Sequence, residues 1–373
     1  MKILLVEPNY KTKFPSIGLM KIATMHKNRG DSVTYVKGEN MYLEEPDIIY
    51  ITSIFTYDYI SVRNSIQFYR QVFPKAKLWV GGLVATLMPE KFENLGIDYI
   101  HDGIWDEVED ECLDYSLHPE LDMTIMFTHR GCPRKCPWCV VPVHEKLRFK
   151  ENIEKYIVDK FDKISCWDNN ALANPRLAEV IEVFKRAGKE VDFNQSLDIR
   201  LLTPEKAKLL KQIKIYPLRF AFDDIKYKDA FLKGIEICKS VGLKQETRID
   251  VLYNFEDTPE DFYERLSIIL DNGWMAYPML YKPIRQIDKG WLGKNWTKED
   301  LARYQNFCKS LLGRVGDFLN PRSYVYFKDR RIKIREVIKN RMLDIPSSDD
   351  QRRYINKSKG IDSNKEKSQQ LLF

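Results

Sequence analysis

The chain has 373 residues, of which 44% are hydrophobic, 12% aromatic and 31% charged. This composition can bury a sizeable core, so it excludes wholesale disorder and a small disulfide-held scaffold. No stretch approaches 18 uninterrupted apolar residues, and the apolar run before Glu7 is short for a secretory signal. We therefore expect no membrane span and a cytoplasmic location. The formal net charge of +6 arises in residues 321–373, which hold 14 Lys and Arg against 7 Asp and Glu.

The first part of the chain alternates short apolar runs with helical periodicity. The pattern predicts helices at residues 17–27 and 62–73, and strands at residues 2–6, 32–36, 47–51, 78–80 and 97–100. Strands that alternate with helices at this spacing are typical of a doubly wound parallel sheet. We therefore predict a Rossmann-like α/β domain over residues 1–110.

A second alternation predicts a further domain over residues 123–285. Its strands are expected at residues 124–128, 163–167, 191–193, 219–222, 247–252 and 275–280. Helices are expected between them, and two of these begin with a Thr-Pro pair, at Thr203 and Thr258, which suits a capped first turn. Six βα units in succession predict a partial parallel (β/α)6 barrel, whose functional end is the C-terminal end of its strands. A helical extension is expected over 286–346, and a disordered tail over 347–373.

Three of the seven cysteines lie within eight residues, just after the first strand of this second series. They are Cys132, Cys136 and Cys139, in the sequence Cys-Pro-Arg-Lys-Cys-Pro-Trp-Cys. Thiolates are the usual protein ligands of iron–sulfur clusters, and three of them can hold three irons of a [4Fe–4S] cube with the fourth iron open. The alternative is a structural zinc site, which prefers four ligands. The candidates for that fourth ligand are Cys112, Cys166, His129 and His144.

The Cys-x3-Cys-x2-Cys spacing, with an aromatic residue before the last cysteine, resembles the radical S-adenosylmethionine (SAM) superfamily over residues 123–285. The resemblance implies an oxygen-sensitive enzyme whose three cysteines hold a [4Fe–4S] cluster, with the open iron taking the amino and carboxylate groups of SAM. It implies reductive cleavage of SAM to methionine and a 5′-deoxyadenosyl radical, which abstracts hydrogen from an undetermined substrate. A flavodoxin- or ferredoxin-like protein would donate the electron, and Trp138 would lie near the adenine.

The same resemblance suggests further cofactor contacts where the predicted strands end. Asp168 and Asn169 would face the SAM amino group, and Arg200, beside Gln195, could pair with the SAM carboxylate. Asp223 ends the fourth strand, where a ribose-contacting acid is common in the superfamily. Each of these residues could instead cap a helix or lie on the surface. Residues 251–261 resemble a glycine-rich segment of the superfamily, but Tyr253 or Asn254, and Glu256, replace its two glycines.

The N-terminal part resembles the cobalamin-binding subgroup of the superfamily. The similarity lies in residues 2–9, 17–23, 46–53 and 80–90. It matches the fold of that subgroup well, but it matches poorly the residues that bind cobalamin through a histidine. The Asp-x-His-x-x-Gly motif, whose histidine is the usual lower axial ligand of cobalamin, is absent after the first strand. The two histidines of this region do not replace it, because His26 lies on a predicted helix and His101 is expected at the far end of the domain. Gly81 and Gly82 would leave room for a corrin tail. The sequence favours loss of cobalamin and leaves a cobalamin-dependent methyltransferase as the alternative.

The basic stretch over residues 328–341 raises a hypothesis from another class, a zinc-stabilised nucleic-acid-binding protein without catalysis. Its seven Lys and Arg residues could neutralise phosphates, as basic segments of nucleic-acid-binding proteins do. The favoured interpretation is an amphipathic helix with a solvated basic face. Its apolar stripe would then pack on the body of the protein through Ile332, Ile334, Val337 and Ile338.

Overall fold

A computed structural model of the chain describes residues 1–10, 12, 14–243, 246–287, 290–312, 317–327, 330–347 and 349–353. The chain divides into two compact units. The first unit comprises residues 1–195, 212–214 and 282–291, and the second comprises residues 196–211, 215–281 and 292–373. Both contain parallel sheets and helices, which confirms the predicted α/β class. No helix in the described ranges is both long and apolar enough to cross a membrane.

The first unit begins with a five-stranded, wholly parallel sheet in the order β2-β1-β3-β4-β5. Its strands are β1 (Lys2–Glu7), β2 (Ser32–Lys37), β3 (Ile48–Thr52), β4 (Lys77–Gly81) and β5 (Tyr99–Ile100). Its helices are α1 (Ile17–Asn28), α2 (Tyr59–Val72), α3 (Leu83–Leu87) and α4 (Asp106–Glu109). This is the strand order of flavodoxin-like sheets, in which the order of the strands reverses between β1 and β3 and leaves a crevice outside the C-terminal ends of these strands.

Strand β1 shows why this sequence forms a buried parallel sheet. Leu4 and Val6 pack in one hydrophobic cluster, whereas Ile3 and Leu5 pack in the cluster on the opposite face. A parallel sheet covered on both faces requires such a continuous apolar run, and β1 supplies it. The predicted strands and helices of this region agree with the observed ones to within three residues.

The rest of the first unit carries the three clustered cysteines. Three parallel strands lie in the order β10-β9-β6, with a short strand β11 beside β10, and a two-stranded antiparallel hairpin, β7-β8, stands apart from them. The strands are β6 (Thr124–Met126), β7 (His129–Arg130), β8 (Arg148–Phe149), β9 (Lys163–Cys166), β10 (Glu190–Phe193) and β11 (Lys214–Ile215). The helices are α5 (Val141–His144) and α6 (Leu177–Ala187).

The second unit contains a three-stranded parallel sheet in the order β12-β13-β14. The strands of this unit are β12 (Leu218–Ala221), β13 (Thr247–Tyr253), β14 (Met275–Leu280), β15 (Tyr324–Phe327) and β16 (Arg330–Lys333), and the last two pair with each other in a separate sheet. Its helices are α7 (Pro204–Leu210), α8 (Lys228–Val241), α9 (Pro259–Asp271), α10 (Lys298–Leu312) and α11 (Ile334–Lys339). Thr203 and Thr258 cap α7 and α9 through their side chains, as the Thr-Pro pairs predict.

All six strands predicted for residues 123–285 are present, as β6, β9, β10, β12, β13 and β14. They lie in two separate sheets of the two units, so their closure into one partial barrel stays a prediction, as do the predicted domain boundaries.

The basic C-terminal stretch differs from the predicted helix. Its first described residues form β16, which pairs antiparallel with β15, and the helix α11 spans six residues. The run Tyr324-Val-Tyr-Phe327 is rich in β-branched and aromatic residues, which favour a strand and provide the partner for β16. The predicted apolar packing is present, because Ile334, Val337 and Ile338 are fully buried. The predicted disordered tail lies mostly outside the described residues.

Ile334→Asp is expected to lower the free energy of unfolding by more than about 3 kcal/mol, because it places a carboxylate in a fully buried apolar position. Lys339→Glu, on the exposed face of the same helix, is the matched control and should change stability by less than about 0.5 kcal/mol. Urea unfolding followed by circular dichroism measures both. Equal stability of the two variants would show that the stretch does not pack, and salt-sensitive tRNA binding lost in Lys339→Glu would favour the nucleic-acid hypothesis.

Candidate active site

The cysteine loop, residues 131–147, is closed at its base by the β7-β8 hairpin. Gly131 has a φ of +76°, and a Cβ atom there would lie 2.7 Å from the carbonyl oxygen of Lys146. Glycine is therefore required for the two ends of the loop to meet. The Gly131 N–H donates to Glu145 Oε2 at 2.9 Å, and Arg130 Nη2 lies 3.1 Å from Glu145 Oε1. Glu145 thus fastens the start of the loop to its end.

The three thiols of this loop are partly exposed, and none forms a disulfide. Two N–H groups donate to Cys132 Sγ, one from the Arg134 backbone at 3.4 Å and one from Asn170 Nδ2 at 3.5 Å. Donors aimed at a sulfur stabilise a thiolate and are typical of sulfurs that bind iron. Cys132 therefore has the environment of an iron-bound sulfur, and the three thiols of the loop are the ligand type that a [4Fe–4S] cluster takes.

A zinc site requires ligands that converge on one ion. Within the described ranges no group of three or more His, Cys, Asp or Glu side chains does so. Cysteines that hold a cube bind different irons and need not converge in this way. Two candidates for the fourth zinc ligand have other environments: the buried Cys166 thiol has its pKa raised by burial, and His129 Nδ1 lies 3.0 Å from Asp168 Oδ2.

Asp168 supports the segment that leads into the cysteine loop. It is 3% exposed, and its carboxylate accepts hydrogen bonds from the Thr128 N–H at 2.6 Å and from the Thr128 hydroxyl. It also accepts from the His129 backbone N–H at 3.2 Å. These contacts engage the carboxylate that the sequence assigns to the SAM amino group, and that assignment stays a prediction. The structure shows Asp168 as an anchor of the strand before the loop.

A cavity of about 720 Å³ lies within the first unit, outside the C-terminal ends of β3, β4 and β5 and against the cysteine loop. Residues 14–16, which connect β1 to α1, also line the cavity, so it reaches the crevice between β1 and β3 where open α/β sheets bind ligands. Four of the residues that the sequence predicts to hold the cluster or SAM line it together: Trp138, Cys139, Asn169 and Gln195. The volume falls in the range of small-molecule sites, about 300–1,000 Å³.

A buried charge cluster, which the sequence analysis did not identify, forms part of the cavity wall. Lys21 Nζ lies 2.6 Å from Glu109 Oε2, and the second oxygen of Glu109 lies 3.0 Å from Lys150 Nζ and 3.6 Å from Arg130 Nε. Glu145 joins this charge cluster through Arg130, and accepts from Asn169 Nδ2 at 2.6 Å. Its members are spread over the chain from Lys21 to Lys150, so no local pattern could reveal them.

The pKa values of this cluster follow from its burial and its charges. Burial lowers the pKa of Lys21 to about 8, although Glu109 opposes the shift. Burial raises the pKa of Glu109, but the positive charges of Lys21, Arg130 and Lys150 outweigh it and hold the pKa below its usual value. Glu109 is therefore a carboxylate at neutral pH and lies between the three cations around it.

Arg200 and Asp223, the remaining predicted cofactor residues, belong to the second unit. Arg200 makes a two-pronged ion pair with Asp198, at 2.6 and 2.9 Å, and its guanidinium lies over the Tyr227 ring. Asp223 accepts from the Leu252 N–H at 3.0 Å, and burial raises its pKa to about 6. The pairing with the SAM carboxylate and the contact with the ribose stay predictions for these two residues.

Asn254 explains one of the missing glycines of residues 251–261. Its φ is +65°, in the left-handed region that glycine usually occupies, and asparagine tolerates it better than most residues. Its side chain is fully buried, and Oδ1 accepts from the Gly293 N–H at 2.9 Å. A Cβ atom at Gly293 would lie 2.8 Å from the Asn254 carbonyl oxygen. Asn254 therefore takes a backbone conformation that glycine also readily adopts.

No protein-family model matches the chain, and no curated protein matches it. Among solved structures, two are of SuiB from Streptococcus suis, one bound to S-adenosylmethionine and one bound to the precursor peptide SuiA. Both share 12% identity with this chain, at TM-scores of 0.33 and 0.36, and cover 62% and 63% of it. The structure of a galactofuranose binding protein matches with a TM-score of 0.19 and 10% identity, and this match covers 75% of this chain and 83% of the galactofuranose binding protein.

The chain spans 57% and 58% of the two SuiB chains. At these TM-scores the likenesses carry no argument about function, which rests on the site itself.

Proposed function

We propose that this protein is a radical SAM enzyme. Cys132, Cys136 and Cys139 would hold a [4Fe–4S] cluster, and SAM would bind beside it. The observation that carries the proposal is one loop with three thiols free of disulfides, two N–H donors aimed at its first sulfur, and its last cysteine in the wall of a 720 Å³ cavity. When bound, the cluster supplies the electron for reductive cleavage of SAM, which begins hydrogen abstraction from the substrate.

The chain's own residues have separable roles in this proposal. Glu145 joins the two ends of the cysteine loop, and Asp168 holds the residues that lead into it. Neither role depends on a ligand. Trp138 presents an aromatic ring to the cavity, suited to stacking on an adenine. Asn169 and Gln195 provide polar groups in the same wall, and Arg200 and Asp223 remain the proposed partners of the SAM carboxylate and ribose. A flavodoxin- or ferredoxin-like protein remains the proposed electron donor.

The second candidate is a cobalamin-dependent radical SAM methyltransferase, and His101 favours it. The sequence places His101 at the far end of its domain, whereas the structure places it in the cavity wall. Its Nε2 has no hydrogen-bond partner within the described residues. Gly82 adds no support, because a Cβ atom there would lie 2.8 Å from the Ser53 carbonyl oxygen, so packing alone requires glycine.

Anaerobic reconstitution tests the proposed function. The full chain is supplied with iron and sulfide, then reduced in the presence of SAM, and 5′-deoxyadenosine is measured by mass spectrometry. We expect about four irons and four sulfides per chain, together with methionine and 5′-deoxyadenosine. One zinc per chain and no 5′-deoxyadenosine would contradict the proposal and favour the zinc-stabilised alternative. One corrin per chain, with turnover that requires it, would favour the methyltransferase.

Asn170→Leu is expected to shift the reduction potential of the reconstituted cluster to a more negative value. The variant removes the N–H that donates to Cys132 Sγ, and such donors stabilise the more negative, reduced state. A hydrogen bond worth about 1 kcal/mol corresponds to about 40 mV for one electron. An anaerobic redox titration followed by electron paramagnetic resonance measures the shift. Asn174→Leu is the matched control, since Asn174 donates to the Thr128 hydroxyl; equal potentials in both variants would refute the role of Asn170.

A further inference from the structure

Two groups of aromatic side chains line the cavity. The first group surrounds the strand ends of the N-terminal sheet, where the Trp79 ring lies 5.5 Å from Tyr50 and 5.7 Å from Trp105, and His101 lies 5.5 Å from Trp105. The second group lies nearer the cysteine strand: Trp167 is 5.7 Å from Phe14 and 6.3 Å from Phe127. Aromatic walls of this kind favour stacked or edge-on contact with another ring.

The charges in the cavity wall cancel. Lys21 and Arg130 contribute two positive charges, Glu109 and Glu145 contribute two negative ones, and each is engaged in the charge cluster. A charged substrate would leave its own charge unbalanced in this partly desolvated space, which is costly, whereas the amino and carboxylate groups of SAM would be held by the open iron of the proposed cluster. The wall therefore disfavours phosphates, nucleotide chains and acidic peptides.

Two buried ring nitrogens in the same wall remain without hydrogen-bond partners in the described ranges. They are His101 Nε2 and His144 Nδ1. Buried polar atoms in native proteins are nearly always satisfied, so these two nitrogens point to a ligand that carries a small number of neutral donors or acceptors. An aromatic ring bearing an N–H or a hydroxyl provides such groups.

We propose that the end of the cavity formed by Tyr50, Trp79, His101 and Trp105 binds the substrate, and that the substrate is a small, uncharged, aromatic molecule. This inference rests on the proposed function, in which the other end, at Trp138, Asn169 and Gln195, belongs to SAM. The cavity then holds both molecules in one chamber, with a substrate carbon facing the cysteine loop.

Equilibrium dialysis of the full chain with indole tests this assignment without catalysis. Indole is the probe because it is aromatic, neutral and carries one N–H. We expect saturable binding of one indole per chain, and at least tenfold weaker binding of indole-2-carboxylate, which adds a charge to the same ring. No saturable binding of indole, or equal binding of the two compounds, would overturn the inference.

Two variants that fill the cavity locate the bound probe. Leu83→Trp and Ile17→Trp add bulk to the wall without removing a ring, and each should weaken indole binding at least tenfold. Ile60→Trp is the matched control, since Ile60 is 48% exposed and lies outside the cavity, and its binding should equal that of the wild type. Circular dichroism checks that each variant folds. If one of the two filling variants fails to fold, the other still tests where indole binds. Unchanged binding in the folded variant would overturn the assignment.

Parallel assays separate this inference from the proposed function. Formation of 5′-deoxyadenosine is measured on the same preparations in the absence of indole, so SAM cleavage without indole binding refutes the substrate class alone. Indole binding without SAM cleavage refutes the radical SAM proposal, and with it the placement of the substrate. Retention of one hydroxocobalamin per chain after desalting, lost in Leu83→Trp, would assign this end of the cavity to a cofactor and overturn the inference.

Discussion

Cys136→Ala is expected to abolish both the iron–sulfur cluster and the cleavage of SAM. Two thiolates cannot hold a cube that three hold marginally, because each cysteine ligates its own iron. Cys132→Ala and Cys139→Ala should behave in the same way. After anaerobic reconstitution, iron and sulfide per chain should fall close to zero, the absorbance of the cluster should disappear, and 5′-deoxyadenosine should drop by at least about 10³-fold, which corresponds to about 4 kcal/mol of barrier.

Three of the other four cysteines of the chain provide the controls for this result. Cys166, Cys238 and Cys308 are buried, and burial raises the pKa of each thiol, which keeps them protonated and poor ligands. Their alanine variants should keep four irons and SAM cleavage at a level that tracks the folded fraction. Retained iron and activity in Cys136→Ala, or a cluster lost with Cys166→Ala at wild-type folding, would refute the assignment of the three ligands.

Glu109→Gln is expected to destabilise the first unit by about 3–5 kcal/mol. The glutamate carries the central negative charge of the charge cluster and is the carboxylate that pairs with the buried Lys21, whereas Arg130 would keep Glu145 and Lys150 would keep Asp110. Leaving buried charges uncompensated costs this amount in other proteins. Urea unfolding monitored by circular dichroism and by tryptophan fluorescence measures the loss. An unchanged midpoint of unfolding would show that water solvates the cluster.

Glu107→Gln is the matched control for this prediction. Glu107 lies on the same helix, α4, but is exposed, so its loss should change stability by less than about 0.5 kcal/mol. The dependence on pH provides a second check. Because the pKa of Glu109 is lowered by folding, its stabilising contribution is complete above the ordinary carboxyl pKa and is lost as the pH falls through its lowered value. The difference between wild type and Glu109→Gln should therefore shrink in acid.

The effect of Glu109→Gln should reach the candidate site. Arg130 links the charge cluster to Glu145, which in turn accepts from the Gly131 N–H at the start of the cysteine loop. Loosening this connection should lower the iron bound after reconstitution more than it lowers the folded fraction. A cluster fully retained in the folded part of Glu109→Gln would limit the role of Glu109 to stability.

Short-range patterns in the sequence determined most of the regular structure of this protein. The alternation of apolar runs and helical periodicity placed β1 through β5 and all six strands of the second series, because burial on both faces of a parallel sheet requires continuous apolar residues. The Thr-Pro pairs placed the starts of α7 and α9, since capping depends only on neighbouring residues. The three cysteines were equally evident, because loop ligands lie within a few residues of one another.

Tertiary structure alone decided what surrounds those cysteines. The Lys21–Glu109 contact joins residues 88 positions apart, and no local pattern encodes such a pairing. The same holds for the hydrogen bonds of Asp168 with Thr128 and His129, and for the position of His101 in the cavity wall. The basic stretch forms part of a hairpin because β15 offers a partner edge, which outweighs helix periodicity over so few residues. Contacts between side chains that are distant in sequence depend on how the strands and loops are arranged in space, and the packing of the whole unit determines that arrangement.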